Sequence, residues 1–236
     1  MKTRRIAKWG FVIISTFMTS FYVENYFATE ELEETTVLAS NTETRLQHAR
    51  ELLGSRFRGS LVEKSAQGSV SKFVYTTVQR KLLDKKWADQ APAVSAMILS
   101  ESYKNGFDPL FVLAVIQTES GFDPSIIGSV GEIGLMQVKP DTGRWIAQKE
   151  SIPWKGSKTL KNPILNVKIG VAYMAFLRKN FGGAAGRYVA AYNMGPRNVR
   201  RLIAKSVQPR DYPTRVMTNY KSMYSEFMKV GHLAEL

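Results

Sequence analysis

An apolar helix that ends in a carboxylate is the central feature of this chain. It reads Asp108-Pro109-Leu110-Phe111-Val112-Leu113-Ala114-Val115-Ile116-Gln117-Thr118-Glu119-Ser120-Gly121. Asp108 is a favourable N-cap, Pro109 suits the first helical position, and Gly121 suits a left-handed cap after the last turn. Leu110 to Ile116 is apolar on every side of a helix. The stretch therefore predicts a helix buried in the middle of a domain.

Helix signals continue on both sides of this segment. Pro92 is placed to open a helix that ends near Gly106, and Asn162-Pro163 repeats the start signal for a helix to about Phe181. Further helical patterns cover about 184–192, 197–205 and 213–230, and strand-like alternation is hard to find. We expect an all-α, predominantly helical fold, with residues 91–236 forming one domain.

Composition excludes several kinds of chemistry. The 236 residues contain no cysteine and two histidines, so Cys-ligated metals, thiol catalysis and a three-histidine metal site are excluded. Catalysis would rest on carboxylates, hydroxyls, amides or backbone, and we expect neither a metal nor a cofactor. The net charge of +13 suits an anionic partner. Without an RNA-binding signature, a zinc finger or a phosphate loop, a cell wall or membrane surface is favoured over nucleic acid.

The amino terminus has the pattern of an export signal. Lys2, Arg4, Arg5 and Lys8 precede an apolar run from Trp9 to Val23. Basic residues before the run and acidic ones after it predict a cytoplasmic amino terminus. Residues 1–28 are interpreted as a signal anchor or a cleaved signal peptide, with the anchor preferred. Residues 29–90 are interpreted as a linker and helical stalk to which the sequence assigns no function.

Glu119 is the residue most suggestive of chemistry. A carboxylate seldom follows six apolar residues on a buried helix unless it is paired or used. Apolar surroundings and the negative end of the helix dipole both favour the protonated form, so we expect a raised pKa, as a general acid needs. The alternative is a helix-end glutamate that points to water, and the segment by itself leaves both interpretations open.

Two further motifs accompany the carboxylate. Gly134-Leu135-Met136-Gln137 follows Glu119-Ser120, and Ala191-Tyr192-Asn193-Met194-Gly195 lies downstream. With these three motifs in order, the chain resembles the transglycosylase SLT domain of bacterial lytic transglycosylases, relatives of goose-type lysozymes. A closing Tyr212 agrees with the same pattern. The resemblance implies a lysozyme-like fold, and it does not extend to residues 1–90.

The resemblance implies a substrate and a reaction. The substrate would be peptidoglycan, cut without water between N-acetylmuramic acid and N-acetylglucosamine to leave a 1,6-anhydro end. Glu119 would be the catalytic acid and then the base, which suffices because the nucleophile is a hydroxyl of the substrate itself. The implied partners are glycan strands and, through the amino-terminal segment, the inner membrane. The sequence selects no envelope assembly as a further partner.

The resemblance also implies roles for the neighbouring positions. Ser120 and Tyr192 would support Glu119, with the Tyr192 hydroxyl near its carboxyl. Residues that would bind the substrate are Gly134, Met136, Gln137, Tyr192 and Asn193. Plain structural roles stand beside these: core filling for Met136, a backbone hydrogen bond for Tyr192, and turn formation for Asn193.

One departure from the family pattern keeps other functions open. Glu132 stands next to the motif loop where the family usually carries alanine. A solvent-facing side chain is the preferred interpretation, but a carboxylate at Glu132, Asp123 or Asp141 could activate water and make the protein a hydrolytic lysozyme. A third interpretation is a non-catalytic wall-binding protein that keeps the fold.

Overall fold

The computed structural model describes residues 40–54, 70–83 and 86–233, without the side chains of 230–233. The chain divides into two compact units, Met1–Glu43 and Thr44–Leu236, and the second unit is described here. Its regular structure is helical, and the β pairing within the described residues is limited to isolated bridges joining Ile133 to Ile127 and to Val138. The all-α prediction is confirmed.

Nine α-helices of the described residues are named here. Residues 40–53 are helical, and the part within the second unit, 44–53, is named α1. The others are α2 (Val70–Leu82), α3 (Ala91–Lys104), α4 (Pro109–Ser120), α5 (Pro140–Lys149), α6 (Pro163–Asn180), α7 (Ala185–Met194), α8 (Pro196–Ala204) and α9 (Asp211–Leu233). Short 3-10 helices cover Ala88–Gln90 and Ser157–Lys161.

Helix α4 is the predicted buried helix, and its ends are formed as the sequence indicates. The Asp108 side chain accepts a hydrogen bond from the Leu110 N–H, and Gly121 closes the helix in a left-handed conformation. All residues from Leu110 to Ile116 are buried. Helices α9, α3 and α2 pack around it, so the carboxyl end of α4 is held rigidly by the core.

The compact unit begins before the domain boundary expected from sequence. Val74, Val78 and Leu82 of α2 are completely buried and belong to the same hydrophobic core as α4, whereas Leu83, the next residue, is 64% exposed. The unit thus starts at Thr44 rather than at residue 91. The assignment of 91–236 as the catalytic domain stays a prediction.

Helix α1 reaches the core through polar side chains. Its Arg45 donates to Asp108 and to the Tyr224 hydroxyl, at 3.4 and 3.2 Å. His48 Nδ1 accepts the Asp108 N–H at 3.0 Å, and His48 Nε2 lies 3.0 Å from the Tyr188 hydroxyl. Tyr220 and Tyr224 also donate to Asp108. This buried network, at the amino end of α4, is the Asp108 network below.

The sequence predicted where helices begin better than it predicted how many helices there are. Asn162 caps α6 through the N–H groups of Ile164 and Leu165, as the Asn-Pro pair predicts. Helix α5 was not predicted. Its N-cap residue, Lys139, makes no side-chain capping bond, and Gly143 lies inside the helix. Both the capping signal and the helix propensity of this segment are therefore weak. Pro140 and Asp141 in its first turn were the available signals.

The predicted membrane-targeting helix of residues 1–28 lies outside the described residues. Within the described part of the chain, no helix combines the length and apolarity needed to cross a membrane.

Candidate active site

The loop that follows α4 is held in place by one buried asparagine. Asn166 of α6 accepts the Met136 N–H at 2.8 Å and donates to the carbonyls of Ile133 and Leu160. Gly134 passes so close that a Cβ would lie 2.6 Å from the Asn166 amide nitrogen, and its φ is +80°. Both facts require glycine at this position. The loop is therefore fixed against α6, facing the end of α4.

Glu119 lies in the last turn of α4, partly buried. Burial is the largest influence on its pKa, which is raised to about 7. A hydrogen bond from Tyr212 and the positive charge of Arg215 oppose this increase, and the negative charge of Glu132 adds to it. The raised pKa agrees with the sequence-based expectation. Near neutral pH a large fraction of these carboxyls carries a proton.

The hydroxyl that contacts Glu119 comes from Tyr212 rather than Tyr192. Tyr212, at the start of α9, donates to Glu119 Oε1. The Tyr192 hydroxyl instead donates to the backbone carbonyl of Met136 at 2.9 Å, which corrects the expected arrangement. Tyr212 appeared in the sequence only as part of a motif. Because the partners are 93 positions apart, local sequence carries no signal for their contact.

Three predicted site residues lie behind the surface of the site. The Ser120 hydroxyl is 2.8 Å from the Leu135 carbonyl and 3.3 Å from that of Ile116, so it ties the helix end to the loop and does not bond Glu119. The Met136 side chain is 1% exposed and packs against Gly170 of α6. Gly134 is buried beside Asn166. These positions shape the loop, and the two of them that were predicted to bind the substrate, Gly134 and Met136, do not line the cavity.

A cavity of about 480 Å³ opens beside Glu119, a size typical of small-molecule sites. Glu119, Gln137, Tyr192 and Asn193 are the predicted site residues that line it. The remaining lining residues are Gly128, Ser129, Glu132, Val138, Lys139, Thr142, Tyr173, Met194, Gly195 and Pro196. Gln137 holds the loop because its side-chain Nε2 donates hydrogen bonds to the carbonyls of Ile126 and Gly134. The cavity thus lies between the loop with α5 on one side and α6 with α7 on the other.

Glu132 is the second carboxylate of this cavity. Its side chain is 21% exposed and lies 3.7 Å from Lys139 Nζ, and it accepts the Val130 N–H at 3.2 Å. The expectation that it faces bulk solvent is therefore wrong. Of the other two carboxylates considered, Asp123 accepts hydrogen bonds from Ser125, and Asp141 is 96% exposed. Neither lines the cavity.

Similar proteins are found by sequence and by structure. The chain is 29% identical over 154 residues to "Soluble lytic murein transglycosylase" of Salmonella typhimurium, covering 61% of this chain and 24% of that protein. It is 33% identical over 143 residues to "Membrane-bound lytic murein transglycosylase C" of Histophilus somni, covering 54% and 39%. The crystal structure of the 70 kDa soluble lytic transglycosylase of Escherichia coli has a TM-score of 0.52 at 23% identity, covering 72% of this chain and 33% of that one.

The match covers only a small part of the length of each relative. The matched region spans about a quarter of the Salmonella protein and about two fifths of the Histophilus protein, while the structural similarity supports the fold. Residues 96–213, half of the chain, match the family described as "Transglycosylase SLT domain". The match spans Glu119, the loop with Gln137, Tyr192 and Tyr212. The chain belongs to the transglycosylase SLT domain family.

Proposed function

We propose that the protein is a peptidoglycan lytic transglycosylase that cuts the glycan between N-acetylmuramic acid and N-acetylglucosamine. The observation that carries this proposal is Glu119, a carboxyl with a pKa of about 7 on the wall of a cavity. Such a group holds a proton at neutral pH and can still release it, which is what an acid that later acts as a base requires. The names of the relatives support the same substrate.

The reaction uses one carboxyl twice. Glu119 first donates its proton to the glycosidic oxygen, so that the bond to the leaving sugar breaks. The resulting carboxylate then removes the proton from the C6 hydroxyl of the same muramic acid, and that oxygen bonds to the anomeric carbon. The product is a 1,6-anhydro ring. Because the nucleophile is already attached to the substrate, proximity favours it over water.

The surroundings of Glu119 suit both steps. Tyr212 donates a hydrogen bond that fixes the carboxyl and stabilises its anion, while burial stabilises the neutral acid. Gln137 and Asn193 line the cavity and are proposed to contact the acetamido and hydroxyl groups of the sugars. Tyr192 and Ser120 support the site indirectly, through the Met136 and Leu135 carbonyls.

The test is the chemical form of the products. Purified peptidoglycan is digested with the wild type and with Glu119→Gln, and the masses of the fragments are measured by mass spectrometry. We expect anhydro ends, which are lighter than reducing ends by one water, and a loss of activity in Glu119→Gln of about 10³-fold. An active digest that lacks anhydro ends would refute the proposal. A folded Glu119→Gln variant with full activity would refute the role of Glu119.

Hydrolysis is the second candidate, because Glu132 lies in the same cavity. A second carboxylate is what an ordinary glycosidase uses to activate water or form an intermediate, although Glu132 is paired with Lys139. If Glu132 activates water, the wild type releases reducing ends and Glu132→Gln releases fewer of them. Asp141→Gln, outside the cavity, is the control and should leave the product ratio unchanged.

A cell-envelope location is part of the proposal. The basic and apolar pattern of residues 1–28 supports a membrane anchor with the catalytic domain outside the cytoplasm, in the periplasm. Cell fractionation tests this: an anchored protein stays with membranes in high salt and is released by detergent. Release by salt alone, or recovery of a shortened soluble form, would contradict the anchor.

A further inference from the structure

A group of aromatic side chains lies along the neighbouring helices α5 and α6. The centroid of the Trp145 ring lies 4.6 Å from that of Phe176 and 6.4 Å from that of Tyr173, in both cases edge-on. The centroids of the Tyr173 and Tyr192 rings are 5.5 Å apart. We call Tyr192, Tyr173, Phe176 and Trp145 the aromatic track. Trp145 is 40% exposed, so the outer end of the track is open to solvent.

The aromatic track is continuous with the cavity of Glu119. Tyr192 and Tyr173 line the cavity, as does Thr142 of α5. On a helix, residues three positions apart share a face, so the face of α5 that presents Thr142 continues to Trp145. By the same spacing, the face of α6 that presents Tyr173 continues to Phe176. Both walls of the cavity therefore lead to the aromatic track.

Packing between α5 and α6 does not fully account for Trp145. A tryptophan that served only to join two helices would be expected to bury nearly all of its ring, since its burial is what stabilises the contact, whereas Trp145 is 40% exposed. Lys149 places its ammonium 5.8 Å from the Trp145 ring and 4.9 Å from the Phe176 ring. This lysine is exposed, so its side chain has room to move aside when a ligand covers the rings.

We propose that the aromatic track is an outer subsite for the glycan, where Trp145 and Phe176 bind a sugar ring beyond the two sugars at the cleaved bond. The inference rests on the proposed function. A pyranose presents a face of C–H groups with hydroxyls around its rim, so its face can pack against aromatic carbons while its rim stays in water or meets Lys149. A glycan held at the cleaved bond continues along the strand, and the aromatic track continues from the cavity.

Binding by an inactive enzyme tests this subsite without interference from cleavage. In the full chain carrying Glu119→Gln, calorimetry measures the affinity for peptide-free glycan of two lengths, a disaccharide and an octasaccharide. Adding Trp145→Ala should weaken octasaccharide binding about tenfold, the size expected for one lost ring contact, and leave disaccharide binding unchanged. Trp145→Phe should restore most of the affinity because it keeps a ring.

Tyr75→Ala is the matched control, since Tyr75 is 41% exposed and lies on α2, outside the cavity lining. Equal octasaccharide affinities for Trp145→Ala and Tyr75→Ala would overturn the subsite while leaving the proposed function intact. A loss seen only with peptide-bearing glycan would also overturn it, because the occupant would then be the stem peptide. If the Glu119→Gln enzyme binds neither length of glycan, the proposed function itself fails.

Discussion

At the Glu119 carboxyl, burial and hydrogen bonding act in opposite directions, and burial prevails. Its pKa rises from 4.5 to about 7 although Tyr212 and Arg215 both stabilise the anion. The fold therefore maintains an acid that is easier to protonate than in an unfolded chain. Such a group lowers the stability of the folded state at high pH, and that effect can be measured.

Glu119→Gln should make the protein more stable at alkaline pH. Below pH 4.5 the Glu119 carboxyl holds its proton in both the folded and the unfolded chain, so it does not reduce the free energy of unfolding of the wild type. Between 4.5 and about 7 the unfolded chain releases it first, so the free energy of unfolding falls as pH rises. We expect the variant to gain about 2 kcal/mol at pH 8 and almost nothing at pH 4, measured by urea unfolding.

Glu150→Gln is the control for this measurement, because Glu150 lies exposed just after α5. Its free energy of unfolding should stay within about 0.5 kcal/mol of the wild type at both pH values, as is usual for an exposed substitution. A pH-independent gain in Glu119→Gln would contradict the raised pKa of Glu119.

Tyr212→Phe should raise the pKa of Glu119 further. The Tyr212 hydroxyl stabilises the carboxylate, and without this donor the proton is held more tightly. The alkaline limb of kcat/KM, where the acid loses its proton, should move to higher pH by roughly one unit. Tyr192→Phe is the matched comparison, because that hydroxyl donates to the Met136 carbonyl, and its limb should stay in place. Equal shifts for the two variants would contradict the assignment of Tyr212, rather than Tyr192, as the hydroxyl that stabilises the carboxylate of Glu119.

At the scale of the elements, the Asp108 network joins α1 to α4. It lies at the amino end of α4, the opposite end from Glu119. Asp108 caps α4 and accepts from Arg45, Tyr220 and Tyr224. Its carboxylate also pairs with the charge of the buried Arg45, at 3.4 Å. No member of the network lines the cavity, so the network supports the fold rather than the chemistry.

Asp108→Ala should destabilise the protein by about 3–5 kcal/mol, because it breaks a buried ion pair, removes the cap of α4 and deprives two tyrosine hydroxyls of their acceptor. The matched control is Glu226→Ala, which breaks the pair of Glu226 with Arg80. Those side chains are 44% and 63% exposed, and an exposed pair contributes about 0–1 kcal/mol. Chemical unfolding measures both. Similar losses for the two variants would mean that the Asp108 network adds little.

For the whole molecule, the compact unit from Thr44 predicts that residues 44–90 are needed for folding. Val74, Val78 and Leu82 are fully buried, and each contributes about 1.5–3 kcal/mol by its burial. Their sum is comparable to the entire stability of a domain. A chain starting at Ala91 should therefore fail to unfold cooperatively in a circular dichroism melt, while one starting at Thr44 should melt cooperatively. Equal melting of both would restore the boundary at residue 91.

The local features of the site could be read from the sequence. Asp108-Pro109 and Asn162-Pro163 mark helix starts because capping involves neighbouring residues, and the apolar run before Glu119 indicates a buried acid. Where the local signals are weak, as at Lys139 before α5, the helix was missed. The three motifs indicated the family because each is a short segment that can be recognised in the sequence without knowledge of its distant contacts.

The tertiary structure alone decided which groups meet at Glu119. Tyr212 rather than Tyr192 bonds its carboxyl, Glu132 turns into the cavity rather than to solvent, and α1 packs against Asp108. Each is a contact between residues far apart in the chain or a choice of direction by one side chain. The physical reason is that such contacts follow from how the helices pack together, whereas capping and helical periodicity are settled within a few residues.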